Sequence, residues 1–155
     1  MSEEKTGQRL APAAELMAAQ EEIVDTFTLL EDWSDRYQYI IDLGREAPPF
    51  PEEWKTEQYR LKGCQSQVWI VTEMKDGRMQ IHATSDSAIV AGLIAMLVKV
   101  YSGRRPADIL STPPEFIRRV QLEDHLSPTR SNGLSAMVQQ IRQMAVAALA
   151  QQHKT

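Results

Sequence analysis

The sequence predicts an α+β fold, a small antiparallel sheet of about three strands packed by helices. Three observations carry that expectation. The run Gln67-Val-Trp-Ile-Val-Thr-Glu-Met74 alternates between two faces, as a half-buried strand does. Asp76-Gly77 follows it, and a two-residue hairpin turn needs positive φ at both central positions, which this pair tolerates. On either side lie long stretches whose apolar residues recur every three or four positions, the spacing of one helix face.

Each element has its own justification. Residues 1–12 are polar and irregular and predict a flexible tail. From Ala13 a helix is expected, with Leu16, Ile23, Phe27 and Leu30 on one side and Glu21, Glu22 and Asp25 away from it. Asp32 is the expected cap of a second helix, whose stripe is Trp33, Tyr37, Ile40 and Ile41. Gly44 stands where a helix end favours a left-handed residue. The prolines of Ala47-Pro-Pro-Phe-Pro51 bar helix and predict a loop, with a helical turn or two over residues 52–57. Tyr59 and Leu61 alternate with Arg60 and Lys62, a short strand. Gly63 to Ser66 then reads as a turn, and Met79, Ile81 and Ala83 form one face of the strand returning from the hairpin. Ser85 or Asp86 can cap a helix over Ala88–Tyr101, which is apolar nearly all round and therefore belongs in the middle of the core. Ser102-Gly103 stops it. Pro106 and Pro113-Pro114 punctuate two short helical pieces, the second carrying Phe116, Ile117, Val120 and Leu122. Ser127-Pro128 is a helix start, a capping residue followed by proline at the first helical position. The stripe Leu134, Met137, Val138, Ile141, Ala145, Ala148 and Leu149 follows, and residues 151–155 are expected to fray. One domain over residues 13–150 accounts for the chain.

Composition narrows the function. A net charge of −4 argues against a nucleic-acid binder, which needs a basic face to displace counterions from phosphates. The longest nearly apolar run, Ala88 to Val98, has 11 residues, short of the roughly 18 of a membrane span. The first residues lack the basic-then-apolar layout of a secretory signal, so a cytoplasmic protein is expected. The chain has 1 cysteine, Cys64, which can supply neither an internal disulfide nor a multi-thiolate metal site. No metal or cofactor of the chain's own is expected.

Cys64 reads either as a small buried hydrophobe or as a reactive thiol. Its flanks Lys62, Gly63, Gln65, Ser66 and Gln67 are polar or small, and it falls in a turn, which favours the reactive reading. A cysteine hydrolase needs a base beside the sulfur, and nothing in the sequence pairs His82, His125 or His153 with Cys64. A dithiol redox enzyme needs a resolving cysteine, which is absent. A role with one thiol remains, in which a group is accepted and handed on. Arg60, Lys62 and Arg130 would favour its thiolate, and partial shelter followed by outward movement of the loop on docking would protect it. Asp86 and Arg130, from spacing alone, read as helix-end electrostatics and a surface charge. Arg130 is less ordinary, because a cation in the first turn of a helix faces the positive end of the dipole, which points to a carboxylate partner such as Asp86 or to a functional anion.

The stretch Arg60-Leu-Lys-Gly-Cys-Gln-Ser-Gln-Val-Trp69 closely resembles the cysteine motif of SufE-type sulfur-acceptor proteins. Trp33-Ser-Asp-Arg-Tyr-Gln-Tyr-Ile-Ile-Asp-Leu-Gly44, Asp86-Ser-Ala-Ile-Val-Ala-Gly-Leu93 and His125-Leu-Ser-Pro-Thr-Arg-Ser-Asn-Gly-Leu134 are similar to three further blocks of that family, in the same order. An N-terminal extension up to about Gln20 departs from it. The resemblance implies a SufE/IscU-like fold and a sulfur-transfer accessory protein rather than a stand-alone enzyme. Cys64 would accept persulfide sulfur from a SufS-type cysteine desulfurase, activate that enzyme, and deliver the sulfur to an iron–sulfur scaffold. Pyridoxal phosphate would belong to the desulfurase. Asp86 and Arg130 match polar positions around the acceptor loop. Two alternatives stay open: a CsdE-like acceptor serving another pathway, with Gln65-Ser66-Gln67 closer to the SufE side, and an IscU-like metal- or cluster-binding scaffold, which the lack of further cysteines disfavours.

Overall fold

The computed structural model describes residues 2–154, with side chains described for residues 13–152. Its elements in chain order are α1 (Ser2–Leu29), α2 (Trp33–Glu46), β1 (Val68–Lys75), β2 (Arg78–Ser85), α3 (Ala88–Tyr101), α4 (Pro106–Ser111), α5 (Glu115–Arg119) and α6 (Pro128–Lys154), with 3₁₀ turns at Glu52–Trp54, Glu57–Tyr59 and Leu122–His125. α1 begins at Ser2 and not at the expected Ala13, so the stretch expected to be irregular is helical from its second residue, and α6 runs to Lys154 through most of the end expected to fray.

The α+β expectation holds, with two strands in place of about three. β1 and β2 pair antiparallel in register from Val68↔Ser85 to Lys75↔Arg78. The turn between them has φ of 54° at Asp76 and 77° at Gly77, the backbone that an Asp-Gly hairpin anticipates. The strand expected around Tyr59–Leu61 shrinks to one bridge, Arg60↔Trp69, with Leu61 N–H donating to Val68 O at 2.8 Å. It cannot extend, because a 3₁₀ turn precedes it and Gly63, at φ 91°, turns the chain away just after it. The outer edge of β2 is occupied by the segment after α3. Met79 N–H donates to Arg104 O and Gly103 N–H to Met79 O, each at 2.8 Å, and Ile81 N–H donates to Ser102 Oγ at 2.8 Å.

α3 lies at the centre, packed against α1, α2, α6 and β2. Its all-round apolarity is what such a position requires, and Leu93, Ile94, Met96, Leu97 and Val100 are buried. Leu16, Ile23 and Phe27 of α1, Ile40 of α2, Val68, Ile70, Met79 and Ile81 of the sheet, and Leu134, Met137, Ile141 and Ala145 of α6 close around it. Among the described residues, no helix is long and apolar enough to cross a membrane.

Three local expectations are corrected. Gly44 does not end α2, which runs on to Glu46, and it has no left-handed φ. It faces Gly92 instead, where a Cβ on Gly44 would stand 2.9 Å from Gly92 N. The glycine pair lets two helix backbones approach. Asp32 precedes α2 but its side chain makes no capping bond. The cap of α3 is Ser87, whose Oγ accepts from Val90 N–H at 3.5 Å, rather than Ser85 or Asp86. Arg104 is only 16% exposed at its side chain; its Nε donates to Val100 O at 3.0 Å and its guanidinium pairs with Glu15. The start of α6 is as expected, with Ser127 Oγ accepting from Arg130 N–H at 3.3 Å.

Candidate functional site

Cys64 is half-buried at the turn of a short loop that is pinned at both ends. At its start, Leu61 N–H is tied to Val68 O. At its end, Gln67 N–H donates to Asp86 Oδ1 at 3.0 Å, and Asp86 N–H donates back to Gln67 O at 3.2 Å. Asp86 is free to do this because Ser87 takes over the capping of α3. Its carboxylate fixes the loop through the backbone and makes no hydrogen bond to the thiol. Between these clamps Gly63 and Gln65 are exposed, so the loop is held at its roots with Cys64 between them.

On the other side stands α6. Its cap at Ser127 and proline at Pro128 start the helix beside the loop, so that Gly133 faces the cysteine. A Cβ on Gly133 would stand 3.8 Å from Cys64 Sγ. Sequence reasoning missed Gly133. The available signal was its place inside an amphipathic helix, where glycine costs about 1 kcal/mol relative to alanine and therefore wants a packing or functional reason.

An open cleft of about 700 Å³ adjoins the loop, lined by Gln65, Ser66, Asp86, Ser87, Ser127, Thr129 and Arg130. The two polar residues singled out with Cys64 thus come together on its rim. They do not form the ion pair that the position of Arg130 hinted at. Among the described residues, no ion pair or hydrogen bond holds the Arg130 guanidinium, which is exposed in the first turn of α6.

The thiol's ionisation also departs from expectation. Burial pushes the Cys64 pKa up from its ordinary value, because the charged thiolate loses hydration. The cations expected to favour the thiolate do not reverse this. Arg60 is engaged with Glu57 at 3.0 Å, and Lys62 and Arg130 are exposed, where water screens their charge.

The histidines have other partners. His82 lies 3.3 Å from Glu73 on the outer face of the hairpin and meets the Trp54 ring edge to face. His125 stacks on Trp33 with ring centres 3.8 Å apart, and its carbonyl accepts from the Tyr37 hydroxyl. The side chain of His153 is outside the described residues. Among the described residues, no three His, Cys, Asp or Glu side chains gather as a metal site would require. Trp33, Trp54 and Trp69 are half-buried.

Residues 21–145, which hold the cysteine loop, both clamps and the facing stretch of α6, match the SufE family, the Fe–S metabolism associated domain. The chain belongs to the SufE family. An uncharacterized SufE-like protein of Rhizobium etli is 40% identical over 134 residues, spanning 83% of this chain and 90% of the relative. Another from Rhizobium meliloti is 36% identical over 134 residues, spanning 83% of this chain and 96% of the relative. A solution structure described as a hypothetical protein from Thermus thermophilus superposes with a TM-score of 0.71, covering 85% of this chain and 96% of that one. At 22% identity that likeness is one of fold. The resemblance read from the four sequence blocks and the family match agree, and they tie this SufE chain to iron–sulfur metabolism.

Proposed function

We propose that this SufE-family chain is a sulfur carrier whose acceptor is Cys64. The observation that carries the reading is a single cysteine, half-buried on a loop clamped at both ends and bordered by an open polar cleft, in a chain of a family associated with iron–sulfur metabolism. In the transfer step, Cys64 Sγ as thiolate attacks the outer sulfur of a persulfide on a cysteine desulfurase. The new S–S bond forms on Cys64 as the desulfurase's S–S bond breaks, and the desulfurase cysteine leaves with the bonding electron pair as a thiolate. The proton count is unchanged, since the transferred sulfur brings its own proton. No resolving cysteine within the chain can discharge the product as a disulfide.

Burial that disfavours the resting thiolate fits a carrier that stays unreactive until its donor docks. The donor is a SufS-type desulfurase holding its own pyridoxal phosphate, the carrier activates it by relieving it of sulfur, and the receiver is an iron–sulfur scaffold in the cytoplasm. The exposed Arg130 and Lys62 flank the loop as contacts for an acidic donor surface.

The test is intact-protein mass spectrometry after incubation with a SufS-type desulfurase and cysteine. Wild type should gain one sulfur atom, and Cys64→Ser none. A Cys64→Ser protein that still stimulates the desulfurase as wild type does would refute the acceptor role and leave an allosteric one.

A further inference from the structure

The α6 backbone at Gly133 leaves room beside the thiol that the reduced protein does not use. Around the point where a Cβ would stand, and apart from Gly133's own neighbours and helix backbone, Cys64 Sγ at 3.8 Å is the one atom of the described residues within 4 Å. That is ordinary contact for the thiol. It is a very different matter for a persulfide. The added sulfur lies roughly 2.05 Å from Sγ. Turned part-way toward α6, it comes well inside the contact distance of a methyl group at that Cβ point, where glycine keeps only a hydrogen; full alignment, about 1.8 Å from the point, would crowd the Gly133 backbone as well.

We propose that the missing side chain of Gly133 forms a recess for the outer sulfur of the Cys64 persulfide, making Gly133 the residue that decides how long a carried sulfur survives attack by small thiols. The inference rests on Cys64 being the acceptor. With glycine, the outer sulfur turns inward, between the loop and α6. With alanine, it must turn toward the open cleft lined by Gln65, Ser66 and Thr129, where a nucleophile reaches it. Removal by a small thiol is attack of that thiolate on the outer sulfur. It breaks the Cys64 S–S bond, returns Cys64 as thiolate and leaves the sulfur as a persulfide on the small molecule.

The experiment uses wild type, Gly133→Ala and Asn132→Ala, the last at an exposed neighbouring position of the same helix. Each is loaded with inorganic polysulfide, freed of excess reagent and exposed to glutathione, and the species carrying one added sulfur is followed by intact mass. In parallel, iodoacetamide alkylation of the reduced proteins reports on the thiol itself. Gly133→Ala should alkylate at the wild-type rate yet lose its sulfur about tenfold faster, the scale of a modest steric exclusion, while Asn132→Ala keeps the wild-type lifetime. Equal persulfide lifetimes for wild type and Gly133→Ala overturn the recess. A matching rise in thiol alkylation also overturns it, because the variant has then merely loosened the loop. If wild type takes sulfur from neither polysulfide nor a desulfurase, the acceptor reading itself falls, an outcome distinct from either.

Discussion

Gly92→Ala tests how closely α2 and α3 cross. In an isolated helix the change is favourable, by about 1 kcal/mol. In this fold the new Cβ would stand 2.1 Å from Ile40 O and 2.6 Å from both Ile40 C and Ile40 Cγ2. Carbon atoms pack at about 3.5–4.0 Å, so α2 must retreat by about 1 Å. Ile40 cannot rotate out of the way, because two of the three clashing atoms are backbone and its side chain is fully buried. Overpacking of a core typically costs about 1–3 kcal/mol, and a backbone clash belongs at the upper end. Less the gain in helix propensity, a net loss of about 2 kcal/mol is expected. For a chain of this size that lowers Tm by about 4–8 °C. Thermal unfolding followed by circular dichroism measures it. A Tm at or above wild type would refute the reasoning, since helix propensity would then outweigh the crossing.

Three further outcomes are expected. Gln20 is a buried polar side chain, accepting from Phe116 N–H at 3.0 Å and donating to Pro113 O at 3.2 Å; Gln20→Ala strands the Phe116 amide and should cost about 1–3 kcal/mol in urea unfolding, and a shift below about 0.5 kcal/mol would count against the bond. Asp86→Ala removes the clamp on Gln67 N–H, so Cys64 should alkylate faster, whereas Asp86→Asn keeps an oxygen acceptor and should restore the wild-type rate; equal rates for all three would show that the clamp does not hold the loop. Alkylation of wild-type Cys64 should have its pH midpoint above the roughly 8.5 of a free thiol, since burial raises its pKa. The sign for stability follows: the folded state holds the proton more tightly, so this contribution is intact below the free-thiol value and is lost as pH rises through the folded pKa. A midpoint at or below that of glutathione would contradict the shelter.

The hairpin, the central α3 and the start of α6 were legible in the sequence because each rests on local chemistry. Alternation along β1, positive φ at Asp76-Gly77, an unbroken apolar helix and Ser127-Pro128 act within a few residues of themselves. Cys64 was singled out by elimination and by the motif around it, and Asp86 and Arg130 by their blocks. What each of them touches was not. Gly44 and Gly92 are 48 positions apart, and only the crossing of α2 over α3 makes them a pair. Asp86 could equally have capped α3, and the nearness of Gln67 N–H, 19 residues earlier, decides that it clamps the loop instead. The same holds for ionisation. Neighbouring cations in the sequence argued for a thiolate, but charge acts through space and solvent. The burial of Cys64 against α6 raises its pKa, and Gly133, 69 residues away, faces its sulfur only because the chain returns there.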